Sequence, residues 1–178
     1  MNPVCTVMVG LPALGKSTFI KSIKTADTWI YSTDMFIETV AEDNGITYDE
    51  AFLSNIDAAI KFNEQKIETI MMLRKDIIWD QTNLGVGKRK KIVERMAKVG
   101  YTVNCICLQP HIAGKDWLES NTEWNRRLSS RSGKNIPQHV LTNMMENFVV
   151  PTLDEGFDSI IFYDMVGQPL GYLYKHDN

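Results

Sequence analysis

The stretch VCTVMVGLPALGKST, running from Val4 to Thr18, decides how this chain folds. Val4 to Val9 is a short apolar run with β-branched side chains, the pattern of a buried strand. It ends at Gly10, and Gly10-Leu11-Pro12-Ala13-Leu14-Gly15-Lys16-Ser17 then fits G-x-x-x-x-G-K-[ST] without mismatch. Glycines let a backbone wrap closely enough for successive N–H groups to face phosphate oxygens. A helix opening at the loop's end adds the positive end of its dipole. Lys16 is placed to reach the β- and γ-phosphates, and the Ser17 hydroxyl to bind Mg²⁺. A motif of four fixed positions also occurs by chance in turns. Here the strand before it and the helix after it supply the confirming context.

Outward from that loop, strands and helices alternate. A helix is expected from about Gly15 to Lys24, then a strand at Trp29-Ile30-Tyr31 ending in Ser32-Thr33-Asp34. A second helix passes through Phe36 and Val40 and breaks at Asp43-Asn44-Gly45. The longest helix is expected over 48–74, opened by capping-box spacing at Thr47 and Glu50. Phe52, Ile56, Ala59, Ile60, Asn63, Ile67, Ile70 and Met71 give it a mostly apolar stripe. Ile77-Ile78-Trp79 is a third strand ending at Asp80, and 86–99 a basic amphipathic helix stopped by Gly100. A fourth strand covers 101–108. Ser120 and Glu123 have capping-box spacing, which predicts a helix over 121–128, followed by a polar loop to Asn135. Pro137 opens another helix to about Val149. Ser159 to Tyr163 is the fifth strand, with Leu170 to Tyr174 able to pair beside it.

This order means an α/β three-layer sandwich: a mostly parallel five-stranded sheet, helices on both faces and a helical lid at about 114–136. Ligands of such sheets bind at the carboxyl ends of the strands. Gly10, Asp34 and Asp80 each fall just past a strand, so three useful positions converge on one edge.

The chain has 178 residues, 44% hydrophobic and 23% charged, which suits one globular domain, 1–178. No apolar run is long enough to span a bilayer, and no signal peptide is evident, so no membrane partner is expected. Cys5, Cys105 and Cys107 are odd in number and lack metal-ligand spacing. They read as reduced core thiols and imply a cytoplasmic protein, of a cell or of a virus inside one. A net charge of −3 argues against a general nucleic-acid coat but leaves room for a local basic groove.

Three classes of P-loop protein compete. A GTPase needs Asn-Lys-x-Asp to read guanine, and none is present. An AAA-type or ABC-type motor needs a strand ending in Asp-Glu, the Glu polarising water; here Gln81 follows Asp80. A kinase needs a carboxylate to take the proton of an attacking hydroxyl, another to orient Mg²⁺, and mobile cations that close on the transferring group. Asp34 suits the first role, Asp80 the second and Arg131 the third. Asp34 and Asp80 also suit plain capping or turn duties, and an exposed arginine is often only a solvated charge.

Four segments, GLPALGKST, YSTD, DIIWDQTNLGVGKRKK and NRRLSSRSGKNIPQHVL, resemble the kinase domain of the bacteriophage 5′-hydroxyl polynucleotide kinase family, in family order. The resemblance implies an ATP- and Mg²⁺-dependent kinase with Asp34 as general base and Lys16 on the phosphates. It implies Ser17 and Asp80 at the metal and Arg131 as lid arginine. The nucleotide would contact Gly10 through Thr18 together with Arg126, Arg127 and Arg131. It implies a nucleic-acid 5′ end as acceptor. Members that phosphorylate polynucleotides usually carry Arg three residues after the base, where this chain has Ile37. That departure favours a nucleoside, another small hydroxyl-bearing metabolite or a hydroxymethylated DNA base. No Asp-x-Asp-Gly-Thr motif is present, so no end-healing phosphatase activity is expected. A nucleotide-binding module without phosphoryl transfer is the rival outside the kinases.

Lys88-Arg89-Lys90-Lys91 reads as a solvated helix face or as an electrostatic edge for a polyanion. Trp29 and Trp79 read as core. Trp117 and Trp124 suit core packing or stacking on a base. The nine methionines read as core filler. His111, His139 and His176 show no partners and are assigned nothing.

Overall fold

A computed structural model of the chain describes residues 2–131 and 133–175. Five apolar runs become parallel strands because each finds apolar neighbours on both faces of a sheet. They are β1 (Val4–Val9), β2 (Trp29–Tyr31), β3 (Ile77–Trp79), β4 (Thr102–Leu108) and β5 (Ser159–Tyr163). A sixth, β6 (Pro169–Tyr174), pairs antiparallel with β5, so the sheet has six strands rather than five, in the order β2-β3-β1-β4-β5-β6. The extra strand follows from the turn between the two. The Asp164 carboxylate accepts from the N–H groups of Val166 (2.9 Å) and Gln168 (2.7 Å), which folds the chain back on itself.

The helices are α1 (Lys16–Ile23), α2 (Thr33–Asn44), α3 (Tyr48–Met72), α4 (Val86–Lys98), α5 (Trp117–Ser129) and α6 (Gln138–Glu146). Alternation along β1 sorts them into two layers. Cys5, Val7 and Val9 face one side, where they bury with Cys105 and Cys107 against Ile67 of α3 and Ile92, Val93 and Met96 of α4. Met8 faces the other, packed with Ile20 of α1 and Trp124 of α5. All three cysteines are free and buried, as core thiols. Among the described residues no helix is long and apolar enough to cross a membrane. His176 lies outside the described residues.

Several local expectations needed correction. Helix α5 starts at Trp117, not Asn121, because Asp116 and Glu119 form the capping box. Ser120 is engaged elsewhere: its hydroxyl accepts from the Ile112 N–H at 3.1 Å. Glu123 is held by Arg126 and Arg127. Helix α6 ends at Glu146, short of Val149, whose N–H is drawn to the Leu84 carbonyl at 3.1 Å. The stripe of α3 is only partly inside. Ala51, Ala59, Asn63 and Ile67 are buried, while Phe52 and Ile60 are exposed. The basic run is not a uniform solvated face. Lys88, Lys90 and Lys91 are exposed, but Arg89 is fully buried and paired with Glu155.

Candidate active site

The loop from Gly10 to Gly15 leaves the end of the central strand β1. Gly10 has φ 151°, and a Cβ there would sit 2.9 Å from the Leu108 carbonyl oxygen, so no other residue fits without displacing β4. Ala13 also lies in the left-handed region, at φ 62°, strain of the kind that concentrates at ligand-binding loops. Two contacts fix the loop from outside. The Gly10 N–H donates to the Thr82 carbonyl (3.0 Å), and Trp124 Nε1 donates to the Pro12 carbonyl (2.8 Å). Trp124 is thus a structural strut in the core, whereas Trp117 is exposed.

Helix α1 begins at Lys16 with no side-chain cap and no acidic residue in its first turn. Its leading amides and its dipole are therefore left for an outside anion. Ser17 and Thr18 lie exposed in that turn. Lys16 Nζ curls over the loop and donates to the carbonyls of Gly10 (2.8 Å) and Leu11 (2.9 Å). Burial pulls its pKa down to about 8, against the opposing pull of Asp80 and Asp34, and the Arg131 charge lowers it further. Those influences show which groups share one electrostatic neighbourhood: Lys16, Asp80, Asp34 and Arg131.

Asp80 follows β3. Burial is the main influence raising its pKa, and Lys16 pulls the other way. The helix after it is capped at Gly85, so Asp80 is not a helix cap. Asp34 stands exposed in the first turn of α2, and Ser32, not Asp34, caps that helix by accepting from the Met35 N–H (3.3 Å). Asp34 is held instead by Tyr48 of α3, whose hydroxyl donates to Oδ1 at 2.7 Å. Ile37, one turn on, is completely buried with Ala41, Ala51 and Ala59.

The three arginines Arg126, Arg127 and Arg131 separate. Arg126 is chelated by Glu123, with its Nε and Nη2 at 2.7 and 2.8 Å, and two thirds of its side chain is in solvent. Arg127 turns inward, donating to the Met165 carbonyl (2.5 Å) beside Gly15. Arg131 is half-buried in the loop after α5. Further along that loop Lys134 pairs with Glu38, and the Asn135 N–H donates to Asp49 (3.2 Å).

Sequence reasoning missed four contributors. Tyr48 reads from the sequence as a helix start, whereas its hydroxyl reaches Asp34. Lys134 and Glu38 lie 96 residues apart, so no local pattern links them. Arg89 had a visible signal. It shares one helical face with Ile92, Val93 and Met96, so a charge stood inside the apolar stripe of α4.

A family model described as an AAA domain matches residues 6–151. The chain belongs to the AAA domain family. The matched segment includes the P-loop motif from Gly10 to Ser17. Gln81 follows Asp80, and its amide oxygen accepts from Trp79 Nε1 at 3.2 Å. Two solved structures share the fold. One comes from work on the PezAT chromosomal toxin–antitoxin system of Streptococcus pneumoniae, with TM-score 0.63 and 17% identity over 96% of this chain and 71% of that one. The other is a candidate kinase from Chloroflexus aurantiacus, with TM-score 0.61 and 17% identity over 92% of this chain and 89% of that one. At that identity the likeness is one of fold.

Proposed function

We propose that this AAA domain protein is an ATP-dependent kinase that transfers the γ-phosphoryl group to a hydroxyl. The observation that carries the reading is Asp34. It is an exposed carboxylate relieved of capping duty, fixed by Tyr48, and within electrostatic reach of the phosphate-loop lysine. The acceptor O–H gives its proton to Asp34 as its oxygen attacks the γ-phosphorus. The bond from that phosphorus to the bridging oxygen breaks, and its electron pair leaves with ADP. Lys16, the loop amides, Arg131 and Arg127 take up the phosphate charge.

The donor set suits Mg²⁺. Ser17 and Asp80 are hard oxygen ligands, and among the described residues no three His, Cys, Asp or Glu side chains gather to cage a metal. Mg²⁺ is characteristically held by one or two carboxylates plus substrate phosphates and waters. When bound it supplies charge neutralisation on the triphosphate. Lys16→Ala is expected to lower phosphoryl transfer by about 10²–10³-fold, the scale of one preorganised charge-stabilising donor. Turnover of labelled ATP close to the original rate in that variant defeats the assignment.

The resemblance to the polynucleotide kinases supports a 5′-hydroxyl polynucleotide as acceptor. Ile37 favours the second reading, a nucleoside, small metabolite or hydroxymethylated base. The position that would hold an acceptor phosphate is here sealed inside the α2–α3 packing. The test offers γ-labelled ATP with 5′-hydroxyl oligonucleotides, nucleosides and hydroxymethylated DNA in parallel. Label confined to the oligonucleotide end supports the first reading, and label on the others alone the second. Label on none, with ATP still bound, points to another small-molecule acceptor or to a module without phosphoryl transfer.

A further inference from the structure

We infer that Tyr48 is a positioning residue with two jobs, holding the base Asp34 and seating the lid loop; this rests on the kinase reading above. The first job is a hydrogen bond. Tyr48 O–H donates to Asp34 Oδ1 at 2.7 Å, which leaves Oδ2 as the free acceptor for a substrate proton. The phenol is committed to that bond. Its pKa is driven upward, chiefly by burial and then by the neighbouring Asp34 charge. The second job uses the ring face. Lys134 Nζ stands 4.1 Å from the ring centroid and is ion-paired with Glu38, one turn beyond Asp34 on α2. The Lys134 side chain is only 15% exposed, so this is a seated contact, not a solvated charge. The Asn135 N–H bonds to Asp49, the residue after Tyr48.

The platform for both jobs is a capped helix start. Thr47 and Glu50 close a capping box around the first turn of α3, and Tyr48 packs on Phe52 at 5.9 Å between ring centroids. Arg131 lies three residues before Lys134, and its charge is felt at both Lys16 and Tyr48. One side chain thereby joins the loop that carries Lys134 to the carboxylate of Asp34.

Two substitutions separate the jobs. Tyr48→Phe keeps the ring and removes the hydroxyl. It should lower kcat by about tenfold, the loss of roughly one charge-assisted hydrogen bond, and leave the KM for ATP unchanged. Tyr48→Leu removes both features and should also raise the KM for ATP several-fold, a rise that Lys134→Met reproduces. The assay uses γ-labelled ATP and whichever of 5′-hydroxyl oligonucleotide, nucleoside or hydroxymethylated DNA takes label from the original chain. Thermal melting shows whether each variant is folded. An unchanged kcat in Tyr48→Phe, while Asp34→Asn lowers transfer by about 10²-fold or more, overturns the positioning role and spares the kinase reading. Equal KM values in the Phe and Leu variants overturn the seating role. An original chain that transfers label to no hydroxyl acceptor, small metabolites included, defeats both readings together.

Discussion

Arg89→Met should cost about 3–5 kcal/mol of folding stability, the range for breaking one side of a buried ion pair. Both partners are out of solvent, at 0% and 2% side-chain exposure. The guanidinium meets Glu155 through two bonds of 2.7 Å, Nε to Oε2 and Nη2 to Oε1. Its Nη1 also donates to the carbonyls of Asn83 (3.1 Å) and Leu84 (2.6 Å). Methionine matches the bulk but strands a buried carboxylate and two carbonyl groups. The Thr152 N–H, at 3.1 Å from Glu155, cannot neutralise that charge. A domain stable by about 5–15 kcal/mol loses a large share of its margin. The double variant Arg89→Met, Glu155→Leu removes both charges and should recover part of the loss, since buried pairs are often replaceable by apolar residues as a unit. Urea denaturation of the three proteins decides. A single variant within about 0.5 kcal/mol of the original, the usual range of a surface change, rules the account out.

This pair also shows where sequence reading stopped. The strand-loop-helix frame was legible because its signals are local. The apolar run of β1, the glycines and Lys16-Ser17 sit within fifteen consecutive residues, and each obeys a short-range rule. The strand ends that carry Asp34 and Asp80 were legible for the same reason. The sixth strand was half visible, as a run able to pair beside β5, because its pairing depends on a turn built around the Asp164 carboxylate. The start of α5 went astray because two overlapping capping boxes, Asp116 with Glu119 and Ser120 with Glu123, compete on spacing alone. The winner is set by a tertiary bond from Ile112 to Ser120.

The candidate site was legible in its ends and not in its joints. Lys16, Asp34, Asp80 and Arg131 are candidates by residue type and place, and their charges fall in one neighbourhood. That Ser32 takes the capping role and leaves Asp34 free could not, since both stand at the same helix start. Which arginine turns inward was equally hidden. Arg126 and Arg127 are neighbours in sequence, and only the Met165 carbonyl, 38 residues away, draws Arg127 toward Gly15.

Asp34→Asn should lower phosphoryl transfer by about 10²–10⁴-fold, the contribution of a positioned general base. The low end of that range is the better expectation. The transferring group passes through a loose transition state in which the acceptor oxygen has gained little bond, so its proton is lost late. Asparagine keeps the shape, and its amide oxygen still accepts from Tyr48, so the geometry at α2 and α3 survives. Ser32 remains as the cap, and the only structural loss is one negative charge in the first turn of α2, worth about 0.3–1 kcal/mol. ATP binding depends on the phosphate loop, which the change does not touch, so the KM for ATP should stay within about twofold of the original. A mutation that acts through misfolding or a weakened nucleotide site moves KM and melting as well. The test is therefore the split: kcat collapsing while the KM for ATP and the melting curve hold. If labelled phosphate still reaches the acceptor at within about threefold of the original rate, Asp34 is not the base, and the carboxylate that remains near Lys16 is Asp80.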